Sequence, residues 1–113
     1  YYSNLDAHLV GLALARRLPM PLADFARDAF FAPLGIESFF WHTVSEGATN
    51  AASELRMRPP DMLRIGRLVR QEGLWHGRRL VSQAFLRDAT RRHVATDVPA
   101  RGRSDLWGYG YLW

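Results

Sequence analysis

Apolar residues recur with helical spacing from position 4 to about 18, where Leu5, Leu9 and Leu12 lead to Arg16 at intervals of four, three and four. Val10, Ala13 and Leu14 widen that stripe, which predicts a helix covered on more than one side. Ser3 followed by Asp6 has the spacing of a capping box with Asp in place of Glu. Pro19 ends the helix, because it has no amide proton and pushes the residue before it out of helical geometry. Pro21 suits the first position of a second helix over about 21–31. Leu22, Phe25, Ala29 and Phe30 read as its inward face, with Asp24, Arg27 and Asp28 outward, and Pro33-Leu34-Gly35 closes it.

The aromatic cluster Phe39, Phe40 and Trp41 predicts a short extended piece within 36–44. Small and polar residues make 45–53 a loop. Pro59-Pro60 opens a third helix to about 72, with Met62, Ile65, Gly66, Leu68 and Val69 inward and Arg64, Arg67, Arg70 and Gln71 outward. Gly73 supplies its cap, and 74–81 reads as a turn around Gly77 between two short apolar pieces. Ser82 caps a fourth helix that sets Phe85, Leu86 and Ala89 against Arg87, Asp88 and Arg91. The polar stretch 95–105 reads as a mobile loop. Trp107, Tyr109, Tyr111 and Trp113 around Gly108 and Gly110 read as the beginning of a strand.

Composition narrows the class. The 113 residues, 48% of them hydrophobic and 23% charged, make one domain or a piece of one and not a disordered tail. No apolar run approaches the roughly 20 residues of a bilayer span. There is no cysteine, which excludes disulfides and thiolate chemistry. All 15 basic residues are arginine, so no mechanism that needs a deprotonatable lysine is completed within this stretch. A chain that opens on tyrosine and lacks lysine reads as a fragment. The net charge of +4 comes from scattered arginine pairs with acidic residues between most of them. That is the pattern of a solvated face and not of a nucleic-acid groove.

The chemistry-bearing residues are sparse. No two of His8, His42, His76 and His93 lie three or four apart, and there is no metal-ligand spacing or carboxylate cluster, so neither a metal nor a cofactor is expected. His8 reads as a satisfied packing histidine, and His76 and His93 as solvated turn residues. No phosphate-binding glycine loop and no G-x-S-x-G elbow is present. What stands out is Tyr2-Ser3-Asn4 at a helix start. A tyrosine there gains from the positive end of the helix dipole, which favours its phenolate, and Asn4 can orient a polar group of a substrate.

The order of features carries more than any one of them. Y-S-N opens a long helix; P-L-G-I follows at positions 33–36, P-D-M-L-R-I-G-R-L at 60–68, E-G-L-W-H-G-R-R-L-V-S at 72–82, and W-G-Y-G-Y-L-W closes the chain. This series resembles the serine β-lactamase and penicillin-binding-protein superfamily, in its branch of class C β-lactamases, esterases and D-amino-acid peptidases. The resemblance implies an α+β fold, an antiparallel sheet flanked by helices plus a helical lobe, of which this stretch is a predominantly helical part with a terminal strand.

The family's second motif, Y-x-N, falls on Tyr2-Ser3-Asn4. Tyr2 is then the general acid or base that moves the nucleophilic serine's proton, and Asn4 holds the substrate amide; Tyr1-Tyr2-Ser3 lacks the asparagine, so the register favours Tyr2. The implied chemistry is acyl transfer through an acyl-serine, on a small-molecule or peptide amide or ester. S-x-x-K and the third, sheet-borne motif are absent, and the family's Gly-Gly before the third helix reads Ser53-Glu54. The stretch is therefore expected to be inactive alone. A different reading is a non-catalytic helical interaction module that keeps only the lobe. The sequence sets no oligomeric state, and neither does it set a compartment, although periplasmic or secreted members are common in the resembled family.

Overall fold

The computed structural model describes residues 3–44, 47–95 and 108–111, for 108 and 109 the backbone alone. They fall into two compact units, Tyr1–Arg67 and Leu68–Trp113, with the boundary inside the third helix. The described residues are helix-rich, as the resemblance implies, and carry three two-stranded antiparallel pairings.

In the first unit α1 spans Asn4–Ala15. Ser3 has the extended backbone of a cap residue, yet its hydroxyl accepts no capping hydrogen bond, so the expected capping box is not formed. The helix stops before 16–18, where Arg17 N–H to Leu14 O (2.9 Å) and Leu18 N–H to Ala15 O (3.3 Å) tighten the chain into a turn ahead of Pro19. The buried residues of α1 are Ala7 and Gly11, while Leu5 (63% exposed) and Leu9 (53%) face outward with Val10 and Leu14. The cause is a close approach: a Cβ on Gly11 would collide with that of Ala51. Only the small-residue side of the helix can come that near, and its contact turns the leucine stripe away from the core.

The second helix is shorter and less regular than its sequence suggests. α2 covers Leu22–Ala26, a π-helical turn Arg27–Phe31 follows, then a 3-10 turn Ala32–Leu34. The buried residues are Leu22, Phe31, Leu34 and Ile36, not Phe25 or Ala29. Nine steps of regular helix would leave Phe31 about half a turn out of phase with Leu22. The wider turn reduces the rotation per residue and brings Phe31 back toward the core, where its ring lies 4.6 Å from that of Phe39. Gly35 (φ 71°) closes the segment in left-handed geometry.

The aromatic piece forms β1, Phe39–Trp41, paired with β2, Leu55–Met57, in the register Phe39–Met57, Phe40–Arg56 and Trp41–Leu55. β2 was not expected, because Leu-Arg-Met alternates over only three residues between a loop and Pro59-Pro60, too short a run to stand out as a strand. Glu54 enters it at φ 64°, so the left-handed turn suited to the Gly-Gly of the resembled family is kept by a residue with a Cβ. Its only ionic partner among the described residues is His42 Nδ1 at 3.6 Å, both groups about half exposed. Glu54→Gly is therefore expected to raise stability by about 0.5–1 kcal/mol, since relief of the left-handed strain outweighs an exposed ion pair and the entropy of glycine. A lower melting temperature for the variant would contradict this.

α3, Pro59–Arg70, is rotated from its expected orientation. Met62 is 62% exposed and Gly66 is exposed, whereas Asp61 and Leu68 are 0% and 1% exposed. Arg64, expected outside, is half-buried. The helix turns an aspartate inward because two guanidinium groups meet it there.

In the second unit, α3 ends in a Schellman cap: Gly73 N–H reaches Leu68 O (2.9 Å) and Glu72 N–H reaches Val69 O (2.9 Å). Glu72 takes the left-handed position (φ 52°) that glycine usually holds, and Gly73 follows at φ 86°. β3, Leu74–Trp75, and β4, Arg78–Arg79, form a hairpin whose two linking residues, His76 (φ 47°) and Gly77 (φ 78°), make a type I′ turn. Ser82 caps α4, Gln83–Thr90, by accepting Phe85 N–H at 3.1 Å. Leu86 and Ala89 are buried as expected, but Phe85 is exposed. β5, Val94–Ala95, pairs with β6, Gly108–Tyr109, so Ala95 is strand and not loop. The rest of the expected loop, with Trp107 and Trp113, lies outside the described residues.

Candidate functional site

Tyr2, like Tyr1, lies outside the described residues. Asn4 is the first residue of α1 and is exposed. One helical turn on, His8 shares its face. Together with Leu5, Val44, Asn50, Ala52 and Ser53 they line an open cleft of about 370 Å³.

The far wall is held by one residue. Asn50 N–H donates to His42 O (2.8 Å), and Asn50 O accepts Trp41 Nε1–H (2.8 Å). The Asn50 side chain accepts Ala52 N–H (3.2 Å) and donates to Ser53 Oγ (3.2 Å). Every one of those groups is committed to shaping the loop. The α1 wall differs: Asn4 makes no side-chain hydrogen bond among the described residues, and His8 Nδ1 is buried without a partner. His8 was expected to be a satisfied packing histidine. It packs, but it is not satisfied, because no acceptor or donor of the described residues comes within reach of Nδ1.

The most buried charge escaped the sequence reading. Asp61 accepts Arg58 Nε–H (2.8 Å) and Arg64 Nη1–H (2.7 Å), and Arg64 Nη1 also donates to Gly35 O (2.5 Å). The Asp61 hydrogen bond and charge raise the Arg58 guanidinium above its ordinary value. Guanidinium groups occupy both carboxylate oxygens, so the cluster fastens the first turn of α3 to the Gly35 turn and has no free oxygen for proton transfer. Its signal was available: arginines three residues on either side of an aspartate in a helix's first turn.

The second unit carries two exposed charge clusters. Arg87 and then Gln83 hold the Glu72 carboxyl below its ordinary 4.5 through hydrogen bonds. Asp88 is held below 3.8 by the Tyr111 hydroxyl (2.5 Å), then by Arg91 (2.6 Å). The Asp88 carboxylate in turn raises Tyr111 above 10.0. His93 stacks on Tyr111 with ring centres 4.7 Å apart, and its Nε2 lies 2.7 Å from Asp88 O. His93 is therefore engaged and not merely solvated; His76 is exposed in its turn as expected.

The sign of the pH dependence follows. Lowered carboxyl values mean that this stability is present above about pH 4.5 and is lost as pH falls through the folded-state values, while the raised Tyr111 value means a loss as pH rises beyond 10. Melting temperature against pH should fall at both ends, and Glu72→Gln should flatten the acid limb. An unchanged acid limb in that variant would remove Glu72 from the account.

The family model for Beta-lactamase matches residues 1–113, the full length of this sequence. The chain belongs to the beta-lactamase family. A search of curated proteins finds no match. Both units of this beta-lactamase-family chain lie inside the matched range, the cleft beside α1 included. Its origin is therefore that of a hydrolase. Among its described residues no helix is long and apolar enough to cross a membrane.

Proposed function

We propose that the chain is the helical-lobe portion of a serine hydrolase of the beta-lactamase family, carrying its second catalytic motif at Tyr2-Ser3-Asn4 and acting by acyl-serine transfer on an amide or ester. The observation that supports it is Asn4: an exposed amide without a partner among the described residues, at the first residue of α1, on the rim of a cleft, two residues after a tyrosine. An unpaired amide there has both a donor and an acceptor to offer a substrate amide.

In this reading the nucleophilic serine and its lysine come from an S-x-x-K outside residues 1–113. The serine oxygen attacks the substrate carbonyl carbon as its proton passes to the Tyr2 phenolate. The tetrahedral intermediate collapses, the leaving group takes that proton from Tyr2, and the acyl group stays on serine. Water then attacks the ester, giving its proton to Tyr2, and the serine oxygen leaves with a proton in turn. β-Lactam, D-amino-acid peptide and simple ester substrates all fit this chemistry.

The expected result is no turnover of nitrocefin or short-chain p-nitrophenyl esters by the 113 residues alone. Joined to a segment bearing S-x-x-K, the protein should turn over at least one of them and lose about 10²–10⁴-fold in kcat with Tyr2→Phe. Turnover that survives Tyr2→Phe would overturn the assignment. The second reading, a non-catalytic helical interaction module, draws on the exposed Leu5, Leu9, Val10 and Leu14. It is favoured if no S-x-x-K segment restores turnover.

A further inference from the structure

Among the described residues, the α1 wall of the cleft leaves two side chains with unused hydrogen-bonding groups on one helix face, Asn4 and His8. A histidine nitrogen buried without a partner is costly, about 1–3 kcal/mol in general. The least costly arrangement leaves Nδ1 as a bare lone pair and puts the ring proton on Nε2, because a buried N–H without an acceptor, on a charged ring, is worse. Of the two ring nitrogens Nδ1 is the one buried without a partner among the described residues, which leaves Nε2 to serve the cleft that His8 lines. His8 therefore offers the cleft one hydrogen-bond donor.

The rest of the lining sets the class of ligand. Leu5, Val44 and Ala52 are apolar, Asn50 is committed to its own loop, and no lining residue carries a formal charge. Such walls suit a short apolar group with one neutral acceptor and disfavour an ion. We propose that His8 is a specificity-determining residue of this cleft, where its Nε2–H donates to the carbonyl oxygen of a short neutral amide or ester group. This deepens the hydrolase reading and rests on it for the identity of the natural substrate, since the bound group would extend from a carbonyl held at Asn4.

The test uses the full chain, labelled with ¹⁵N at histidine, and butyramide as the neutral probe with butyrate as its charged counterpart. Saturable movement of the His8 ring nitrogens with butyramide, weaker by at least fivefold with butyrate, is expected. His8→Leu should weaken butyramide binding at least fivefold while leaving the melting temperature unchanged or higher, because it removes an unsatisfied buried nitrogen. His76→Ala, in the exposed hairpin turn, should change neither. Static His8 signals, equal affinity in His8→Leu, or tighter binding of butyrate would each overturn the proposal. These outcomes separate from the fate of the catalytic reading. Turnover lost with Tyr2→Phe, alongside unchanged butyramide binding in His8→Leu, keeps the hydrolase and removes the cleft. His8-dependent binding with turnover indifferent to Tyr2 does the reverse.

Discussion

Gly73→Ala should cost about 3 kcal/mol or more, one of the largest effects of any single methyl group in this chain. Two independent penalties meet at the residue. Its φ of 86° lies where an L side chain is strained by about 1–2 kcal/mol. An added Cβ would also drive into the carbonyl oxygen of Val81, which is backbone and not the end of a flexible side chain. That carbonyl cannot retreat cheaply, because Gly73 O accepts Leu80 N–H (2.9 Å) and Val81 N–H (3.3 Å), and Gly73 N–H closes the cap on Leu68 O. Gly77→Ala is the control: its φ is a similar 78° but nothing lies within 4 Å of the new carbon, so only the conformational penalty of about 1–2 kcal/mol applies. Urea denaturation of the two variants decides the matter. Equal losses would mean that the Val81 contact carries no energy.

Asp61→Ala should cost about 2–4 kcal/mol. The carboxylate is fully buried and is held by two arginines, one of which also carries the Gly35 carbonyl. Removing one member of a buried ion pair is commonly worth about 3–5 kcal/mol, because the other charge is stranded. The loss is smaller here, since Arg58 and Arg64 are partly exposed and can turn to water. Arg58→Ala should cost the least of the three, as Asp61 keeps Arg64 and the lost partner was mostly in solvent. Arg64→Ala should fall between them, since it also frees the Gly35 carbonyl. A change below about 0.5 kcal/mol for Asp61→Ala would show that the buried triad contributes no net stability.

The elements that were legible in the sequence are those whose cause is local. Ser82 caps α4 because its hydroxyl and the Phe85 amide are three residues apart, and His76-Gly77 turns the hairpin because two adjacent residues accept positive φ. What the sequence hid depends on partners brought from far along the chain. α3 turns Asp61 inward because Gly35, 26 residues earlier, presents its carbonyl to Arg64. α1 exposes its leucines because Ala51, 40 residues later, comes up against Gly11. In each case hydrophobic periodicity named a plausible face and a close approach chose another. At the candidate site, Asn4 stood out by its place at a helix start, and only the resemblance of its motif suggested a specific role for it. The significance of His8 was not legible at all, since an unpartnered ring nitrogen is a property of the surroundings and not of the residue.

The π-helical turn at Arg27–Phe31 makes this stretch sensitive to length as well as to composition. A turn of that kind is how a helix accommodates one residue more than its partners require. Deleting one residue among 27–30 would therefore yield a regular helix that still keeps Phe31, Leu34 and Ile36 in phase with Leu22, whereas inserting one would carry them out of phase. Among related chains, a one-residue gap that falls here and nowhere else in the helix would mark a real difference in construction, and no shift of the neighbouring sequence should be used to hide it.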